Sequence, residues 1–445
     1  MGSAAITAQL DTEFGETLVA AARGLDPLRA RAVLARRFPE VDADLLLAAT
    51  AQASLAAQAE PRFGDRAWRL LWTADGLAQA SHPGIAKYRA QRMAALGVRS
   101  AADLTCGLGI DLLALADAGI DMVGVESDVN VAELARRNAD RHSASRCLTS
   151  RGKTDALEPP IGTIDVRVGS CTDAATLASV AGADAWFIDP ARRGQARRPD
   201  GSHIRLDDPE MWSPQWSWVR SLASRTAILV AKTAPGIDHR LVEDASAEWL
   251  SLDGQVREVT AWWGVGDVGA RTAVIVAADG TQVARIPATG VSLAVSGLPE
   301  PGAWLLEPDP AIIRAHVVGE FGAIIGATLV DPKLAYLVLP DDSQWTTDGG
   351  TPAVATHQVA AQPCARRWQV AYAGAYQPAI LRELCTDLGI TRINITGRGR
   401  TLPTKRVVRD LRLPGGAGRA ATLITMALGR QRRTAVVLGT TGDPE

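Results

Sequence analysis

The sequence Asp103-Leu104-Thr105-Cys106-Gly107-Leu108-Gly109-Ile110-Asp111 decides the fold. It begins at the end of an apolar run, residues 101–105, which predicts a β-strand. It leads directly into a helical pattern at residues 112–118. Gly107 and Gly109 let the backbone turn tightly and approach a ligand, since neither carries a Cβ atom. The helix that follows offers unpaired backbone N–H groups in its first turn. The stretch therefore predicts a ligand-binding strand–turn–helix unit, and a purely structural turn is the alternative.

The residues around this turn distinguish between classes of nucleotide ligand. A second predicted strand, residues 122–125, leads into Glu126-Ser127-Asp128. An acid about 20 residues after a glycine turn can accept hydrogen bonds from ribose hydroxyls. Leu112 stands where the dinucleotide pattern G-x-G-x-x-G needs its third glycine. The pattern therefore favours a small nucleoside, S-adenosylmethionine, over NAD.

A further predicted strand, residues 185–188, leads into Asp189-Pro190-Ala191-Arg192-Arg193. In an open parallel sheet the carboxyl ends of the strands border the ligand crevice. We therefore predict two catalytic residues here and two arginines that bind phosphate or acidic groups of the substrate. They are Asp189 and Pro190, and Arg192 and Arg193. A turn-forming Asp-Pro pair and a solvated arginine face are the alternatives.

Short apolar runs alternate with helical stretches between residues 99 and 231. The predicted strands are residues 101–105, 122–125, 164–168, 185–188 and 226–231, and the predicted helices are residues 112–118, 129–141, 174–180 and 210–223. This alternation predicts a parallel sheet with helices on both faces. Two more strands, residues 256–262 and 272–277, follow with no helix between them. We predict that they form an antiparallel hairpin at the sheet edge.

The composition excludes several classes of protein. The chain has 445 residues, of which 47% are hydrophobic and 22% charged, and this indicates several folded domains rather than a disordered protein. The five cysteines show no metal-ligand spacing, so we expect neither a metal site nor a disulfide framework. No signal-peptide pattern opens the chain, and no apolar run reaches the roughly 18 residues of a membrane span. We expect a cytoplasmic protein that does not bind a membrane.

We predict three parts along the chain. In residues 1–61, apolar positions recur every three or four residues, which predicts a helical N-terminal domain. Residues 62–280 form the predicted sheet domain, and residues 281–445 form a C-terminal α/β region. The net charge of the chain is −2, yet residues 366–433 hold 14 Lys and Arg against three acids. This asymmetry predicts a surface in the basic part, about residues 365–440, that captures phosphate groups, and a solvated arginine-rich surface is the alternative.

The motifs together resemble a known family. The run from Asp103 to Asp128, with Asp189-Pro190 downstream, resembles the class I S-adenosylmethionine-dependent methyltransferases, whose sheet has five parallel strands and an antiparallel edge hairpin. Asp75-Gly76-Leu77-Ala78-Gln79-Ala80-Ser81-His82-Pro83, followed by Arg89, is similar to a lead-in found in a bacterial subset. That subset carries a C-terminal THUMP-like domain and is related to the RNA cap guanine-N2 methyltransferases. Two later stretches match it as well: Ala231-Lys232-Thr233-Ala234-Pro235-Gly236 and Leu305-Leu306-Glu307-Pro308-Asp309-Pro310.

The resemblance implies a Rossmann-like catalytic domain, S-adenosylmethionine as the cofactor and RNA as the partner. Structured tRNA or rRNA is the expected substrate, with a base amine favoured over a carbon as the methyl acceptor. The residues expected to bind the cofactor are Asp103, Thr105, Cys106, Gly107, Gly109, Asp111, Glu126, Ser127, Asp128, Ser170 and Cys171. Ser170 follows the third strand, where class I enzymes place a polar contact to adenine, and helix capping is its alternative role. In the basic part, the residues expected to bind RNA are Arg398, Arg400 and Lys405.

The sequence departs from the base-amine pattern in one place. Base-amine methyltransferases carry an aromatic residue after Asn/Asp-Pro-Pro, and its ring stacks on the flipped base. This chain has Ala191-Arg192 there, so the stacking ring must come from elsewhere in the chain, with Trp186, Trp212 and Trp262 as the candidates, or the target is not a base amine. Asp-Pro-x-Arg also resembles the RNA uracil-C5 methyltransferases. Those need a cysteine nucleophile after the fifth strand, and the chain has no Cys between residues 172 and 363.

Two other functions stay open at the level of the sequence. The first is methyl transfer to a small molecule or a protein. The second is RNA binding without catalysis, by a chain that keeps a vestigial methyltransferase fold.

Overall fold

The structure is a computed structural model that describes residues 8–150, 161–197, 203–340, 364–398, 402–429 and 433–440. The chain divides into two compact units. The first comprises Met1–Ala247, Glu258–Gly269 and Val276–Thr281, and the second comprises Glu248–Arg257, Ala270–Ile275 and Gln282–Glu445. Within the described ranges, no helix is long and apolar enough to cross a membrane.

The N-terminal part of the first unit is helical, as its periodicity predicts. Its helices are α1 (Glu13–Ala22), α2 (Pro27–Arg37), α3 (Ala43–Phe63), α4 (Ala74–Gln79) and α5 (Pro83–Ala95). The side chains of Thr12, Asp26 and Asp42 accept hydrogen bonds from backbone N–H groups and so cap the first three helices. Helix α3 continues past residue 61 and ends at Phe63.

Strands and helices alternate through the middle of the chain. The strands are β1 (Ser100–Asp103), β2 (Asp121–Glu126), β3 (Ile164–Val168), β4 (Ala185–Ile188), β5 (Arg193–Arg197), β6 (His203–Arg205), β7 (Ile228–Thr233), β8 (Ser246–Leu252), β9 (Gln255–Trp263), β10 (Arg271–Val276) and β11 (Gln282–Pro287). The helices are α6 (Ile110–Asp117), α7 (Val129–Ser150), α8 (Ala174–Ser179) and α9 (Trp216–Ser221). Strands β5 and β6 form a separate two-stranded sheet.

The other nine strands form one sheet in the order β11-β10-β8-β9-β7-β4-β1-β2-β3. The five strands from β7 to β3 are parallel, as predicted, and in register Asp103 lies opposite Phe187 on one side and Gly124 on the other. Parallel strands bring their carboxyl ends to the same edge of a sheet. The residues that follow β1, β2, β3 and β4 therefore meet there.

The predicted edge hairpin pairs the wrong strands, because residues 256–262 and 272–277 are not neighbours in the sheet. Strand β9 pairs antiparallel with β7, but β8 lies between β9 and β10, so these last two strands are not neighbours. The hairpin joins β8 to β9 through Asp253-Gly254, whose φ angles of 53° and 67° fit a type I′ turn. Strand β8 was missed because it carries Glu248, which is buried and paired with Arg285. A buried carboxylate makes an interior strand look polar in the sequence.

The predicted helix at residues 210–223 is interrupted at residues 212–215. A short 3₁₀ turn spans Pro209–Met211, and α9 begins only at Trp216. Pro214 lies between them and cannot donate the backbone hydrogen bond that a continuous helix needs. The extended backbone at Ser213 instead exchanges two hydrogen bonds with Ala191.

The second unit contains a mixed sheet of seven strands in the order β13-β14-β12-β15-β18-β17-β16. These strands are β12 (Trp304–Pro308), β13 (Thr328–Asp331), β14 (Leu334–Leu339), β15 (Ala365–Gly374), β16 (Ile390–Arg398), β17 (Arg419–Leu428) and β18 (Arg433–Thr440). The helices with them are α10 (Pro310–Arg314), α11 (Val318–Ile324), α12 (Pro378–Asp387) and α13 (Thr404–Leu411). Strand β16 is parallel to β17, with α13 in the connection between them. The C-terminal region is therefore α/β, as predicted.

Gly124 links the sheet to the glycine turn after β1, and this contact gives a stability prediction. A Cβ atom at Gly124 would lie 2.6 Å from Leu112 Cδ1 and 3.0 Å from Cys106 Sγ, whereas one at Gly182 would meet nothing within 4 Å. Overpacking of this kind costs about 1–3 kcal/mol. We expect Gly124→Ala to lower the free energy of unfolding in urea by that amount, and Gly182→Ala to change it by less than about 1 kcal/mol. Equal effects of the two substitutions would contradict the packing described here.

Candidate active site

The glycine turn after β1 has the backbone conformation that its sequence predicts. Gly107 has φ 53° and Gly109 has φ 83°, in the left-handed region that favours glycine. A Cβ atom at Gly107 would meet nothing within 4 Å, so space lies open beside the turn. The Gly107 N–H donates to Glu126 Oε2 at 3.1 Å and so ties the turn to the end of β2.

A pocket of about 410 Å³ lies at this edge of the sheet, within the first unit. Most of the residues predicted to bind the cofactor line it: Asp103, Thr105, Cys106, Gly107, Asp111, Glu126, Ser127, Ser170 and Cys171. Two predicted residues do not line it. Gly109 instead precedes α6 as its N-cap, and Asp128 accepts a hydrogen bond from the Asn130 N–H at the start of α7. The pocket therefore brings together residues from three separate strand ends.

Glu126 presents its carboxylate to the pocket at the end of β2. Besides the bond from Gly107, it accepts one from the Asp128 N–H at 2.9 Å and one from Ser127 Oγ at 3.2 Å. A carboxylate offers about four acceptor positions, so it still has capacity for a ligand. These bonds fix the orientation of the Glu126 carboxylate in the pocket.

Asp103 is a buried acid in the same pocket. Its Oδ1 accepts a hydrogen bond from the Thr105 N–H at 3.0 Å. Burial, together with the nearby Asp111 and Asp189, raises the pKa of Asp103 well above its usual range. A positively charged group bound beside it would favour the ionised carboxylate. The position therefore suits the cationic part of a ligand.

A network of buried charges holds the base of the pocket. Arg89 on α5 is buried and donates to Asp111 on α6 and to Glu258 on β9. Although burial opposes the charge, Glu258 and Asp111 raise the pKa of Arg89 above its ordinary value. The Ser81 hydroxyl donates to Asp111 Oδ2 at 2.8 Å. The Arg89 guanidinium also lies 4.8 Å from the ring centroid of Phe187 on β4.

The charges around Asp111 decide its protonation state. Burial by itself would raise the pKa of Asp111, but Arg89 and Lys232 outweigh it and the pKa is lowered. Asp111 is therefore an ionised structural partner in this network. The sequence placed it among the cofactor-binding residues and gave Glu258 no role, because a pairing between distant chain positions leaves no local pattern.

Asp189 follows β4 and also lines the pocket. Its backbone N–H donates to Thr105 Oγ1 at 2.8 Å, and its Oδ2 accepts from Lys232 Nζ at 2.5 Å. Pro190, the next residue, is buried. Ser213 and Pro214 line the pocket as well. Asp189 therefore links the turn after β1, through Thr105, to the end of β7, through Lys232.

None of the three tryptophans proposed for base stacking is available, and that prediction is wrong. Trp186, Trp212 and Trp262 are 1%, 5% and 1% exposed. Trp186 Nε1 donates to the Val180 carbonyl and Trp212 Nε1 to the Leu206 carbonyl. These rings are core residues. Among the described residues that line the pocket, Phe187 is the only aromatic.

The two cysteines in the pocket are protonated thiols. Burial raises the pKa of Cys171 to about 11, and burial with the nearby Asp103 raises the pKa of Cys106 well above its usual value. Because the thiolate is the nucleophilic form, neither residue is activated for attack at neutral pH. No group of three or more His, Cys, Asp or Glu side chains in the described parts of the chain could hold a metal ion.

The arginines and the lysine predicted to bind substrate lie in different environments. Arg192 is half-buried and does not line the pocket, and the side chain of Arg193 lies outside the described residues. Arg398 donates to Glu307 at 2.8 Å and lies 5.7 Å from the ring centroid of Tyr336, within the second unit. Lys405 is exposed on α13, and Arg400 lies outside the described residues.

Comparisons with known proteins agree with the fold and the site. No model of a known protein family matches the chain. A Mycobacterium tuberculosis protein, named as an uncharacterized S-adenosylmethionine-dependent methyltransferase in two strains, is 28% identical over 374 residues, 83% of this chain and 88% of that protein. The crystal structure of a candidate methyltransferase from Porphyromonas gingivalis superposes with a TM-score of 0.67 at 15% identity, covering 97% of this chain and 99% of that one. The chain therefore has a class I methyltransferase fold, and the predicted enzyme class and cofactor agree with the relatives' names.

The buried position of Asp103 predicts how pH affects binding of S-adenosylmethionine. A cationic ligand favours the ionised carboxylate, so affinity should rise with pH as Asp103 loses its proton, above the usual range of an aspartate. In Asp103→Asn this dependence should disappear, and affinity should fall about tenfold or more because a charge-assisted contact is lost. Isothermal titration calorimetry across the pH range tests both effects. An identical pH dependence in the variant would rule out Asp103 as its source.

Proposed function

We propose that this protein transfers a methyl group from S-adenosylmethionine to RNA. The enzyme class, an S-adenosylmethionine-dependent methyltransferase, is the one given in the names of its relatives. The observation that carries the assignment is the meeting of Glu126, Asp103 and Asp189 in one pocket beside an open glycine turn. These groups offer acceptors for a ribose, a buried anion for a cation, and a carboxylate for the methyl acceptor.

The residues present fit this cofactor. Glu126 would accept hydrogen bonds from the ribose hydroxyls, Asp103 would hold the positively charged end, and the turn at Gly107 would allow close approach of the nucleoside. Ser170 and Cys171 line the pocket and would contact the adenine. When bound, S-adenosylmethionine supplies an electrophilic methyl group on a positively charged sulfur.

The chain's own part in the reaction is to orient the methyl acceptor. Asp189 accepts a hydrogen bond from an N–H of the acceptor and thereby aims the nitrogen lone pair toward the methyl group. Holding reactants about 3 Å apart in line supplies much of the acceleration in such displacements. Pro190 is buried and stiffens the backbone that carries Asp189. Asp189 and Pro190 are therefore the proposed catalytic loop.

The RNA part of the proposal rests on the charge of the second unit. Exposed cations lie on and around β15, β16, α13 and β17: Arg366, Arg392, Lys405, Arg406, Arg409, Arg412 and Arg419. Asp410 pairs with two of them, Arg406 and Arg409. Residues 366–433 hold 14 Lys and Arg against three acids, so this part of the sequence carries an excess of positive charge. Such a surface captures a phosphate backbone. We propose that this is the THUMP-like domain, and that the enzyme modifies a base amine of tRNA or rRNA, as the resemblance to the cap guanine-N2 enzymes implies.

The catalytic role predicts a separation between turnover and cofactor binding. We expect Asp189→Asn to lower the rate of RNA methylation by about 10²-fold or more, since a positioned acceptor contributes 10²–10⁴-fold. Its affinity for S-adenosylhomocysteine should change by less than about threefold. Nucleoside mass spectrometry of total RNA, with the gene deleted and then restored as either form, identifies the product. Full modification by Asp189→Asn would refute the role of Asp189, and an RNA set unaffected by deletion would refute RNA as the substrate.

The basic surface predicts a salt dependence of RNA binding. Each neutralised phosphate contact adds about one to the slope of log affinity against log salt. We expect Arg392→Gln and Arg419→Gln each to reduce the slope by about one. Arg31→Gln, an exposed position on α2, serves as the control and should leave the slope unchanged. Equal slopes for all four proteins would favour a small molecule or a protein as the substrate.

A further inference from the structure

Lys232 stands at the carboxyl end of β7 with its side chain only 8% exposed. Its ammonium donates to Asp189 Oδ2 at 2.5 Å and to Ser81 Oγ at 3.1 Å. Ser81 in turn donates to Asp111, so the lysine joins the catalytic loop to the buried charge network. The proposed function gives this residue no part in the reaction.

A buried ammonium needs compensation, because removing it from water costs several kcal/mol. The charged groups around the pair are Asp103 on β1, Asp111 on α6, Arg89 on α5 and Glu258 on β9. Burial opposes the charge on Lys232, but Asp189, Glu258 and Asp111 outweigh burial and the repulsion from Arg89, so the pKa of Lys232 is raised. The residue therefore stays positively charged beside Asp189.

The two carboxylate oxygens of Asp189 have different surroundings. Oδ2 is held by Lys232, whereas the described residues place no hydrogen-bond donor on Oδ1. The Asp189 side chain is 25% exposed and lines the pocket. Lys232 thus fixes Oδ2, and Oδ1 is left for a hydrogen-bond donor that enters the pocket. This arrangement fits an acceptor group that brings its own hydrogen.

We propose that Lys232 is a positioning residue: by holding Asp189 Oδ2 it presents Oδ1 to an N–H of the methyl acceptor, and so selects acceptors that carry a hydrogen. The inference rests on the proposed methyl transfer. The acceptor nitrogen uses its lone pair to form the new bond to the methyl carbon, while the carbon–sulfur bond breaks and its electron pair stays on sulfur. The nitrogen then releases one proton to Oδ1, from which it passes to solvent. Lys232 keeps its three protons throughout.

A nuclear magnetic resonance experiment tests the ion pair without any RNA. The chain has only five lysines, so the ¹⁵Nζ signal of Lys232 is assigned by its loss in Lys232→Met. We expect this signal to persist at neutral pH, because the buried ammonium exchanges slowly, and to shift in Asp189→Asn. A signal that exchanges as fast as those of exposed lysines, or that ignores Asp189→Asn, would overturn the pairing.

Kinetics then test what the pair does. In Lys232→Met we expect kcat to fall about 10²-fold while KM and the affinity for S-adenosylhomocysteine change by less than about threefold. Lys232→Arg keeps the charge and should retain more activity than Lys232→Met, and Lys333→Met, an exposed position, is the matched control.

The outcomes separate the inference from the proposed function. Circular dichroism and S-adenosylhomocysteine binding establish that each variant is folded, and Lys232→Arg covers the case in which Lys232→Met is not. If RNA is methylated and Lys232→Met keeps the wild-type kcat, the inference fails and the proposed function stands. If the enzyme methylates only nitrogens that carry no hydrogen, or only carbons, then Asp189 Oδ1 does not select the acceptor and the inference fails. If no RNA is methylated, the nuclear magnetic resonance result still decides whether Lys232 holds Asp189.

Discussion

The structure of the pocket depends on one buried ion triad, in which Arg89 lies between Asp111 and Glu258. These residues come from α5, α6 and β9, so a single guanidinium fixes the lead-in helix, the helix after the glycine turn and an antiparallel strand against each other. Removing one partner of such a buried arrangement leaves an uncompensated charge, at a cost of about 3–5 kcal/mol. The position of α6 sets that of the turn before it. The geometry of the pocket and the stability of the fold therefore rest on the same contact.

Parallel topology explains why acids far apart in sequence share one pocket. Strands β1, β2 and β4 run in the same direction, so the residues after each strand emerge at one edge. Asp103, Glu126 and Asp189 are the first acids at these ends. Three carboxylates gathered in a partly buried site would repel each other if all were ionised and unpaired. The site resolves this in three ways: a raised pKa at Asp103, backbone donors at Glu126 and a lysine at Asp189.

Features formed by residues close together in the chain could be predicted from the sequence, and contacts between distant residues could not. Glycines, strand ends and acids follow one another along the chain, so the turn at Gly107, the five parallel strands and the place of Asp189 could be predicted. The partners of the ions could not, because Glu258 meets Arg89 only when β9 pairs beside β7. The same reason hid β8, whose Glu248 looks polar until its partner is known. The Asp253-Gly254 signal could have revealed that strand, had turn chemistry been weighed above hydrophobicity.

The two halves of the pocket differ in origin, and this bears on specificity. The cofactor half is built from consecutive turns at the ends of β1, β2 and β3, so its chemistry is written in short motifs. The acceptor half joins the residues after β4 to Ser213-Pro214 and to Lys232, which come from separate stretches of the chain. Among its described residues no aromatic ring is exposed for stacking, and these residues offer hydrogen-bonding groups instead. In the reaction we propose, the lysine fixes one oxygen of Asp189, and the direction of the other oxygen, rather than ring stacking, would then decide which acceptor atom reacts.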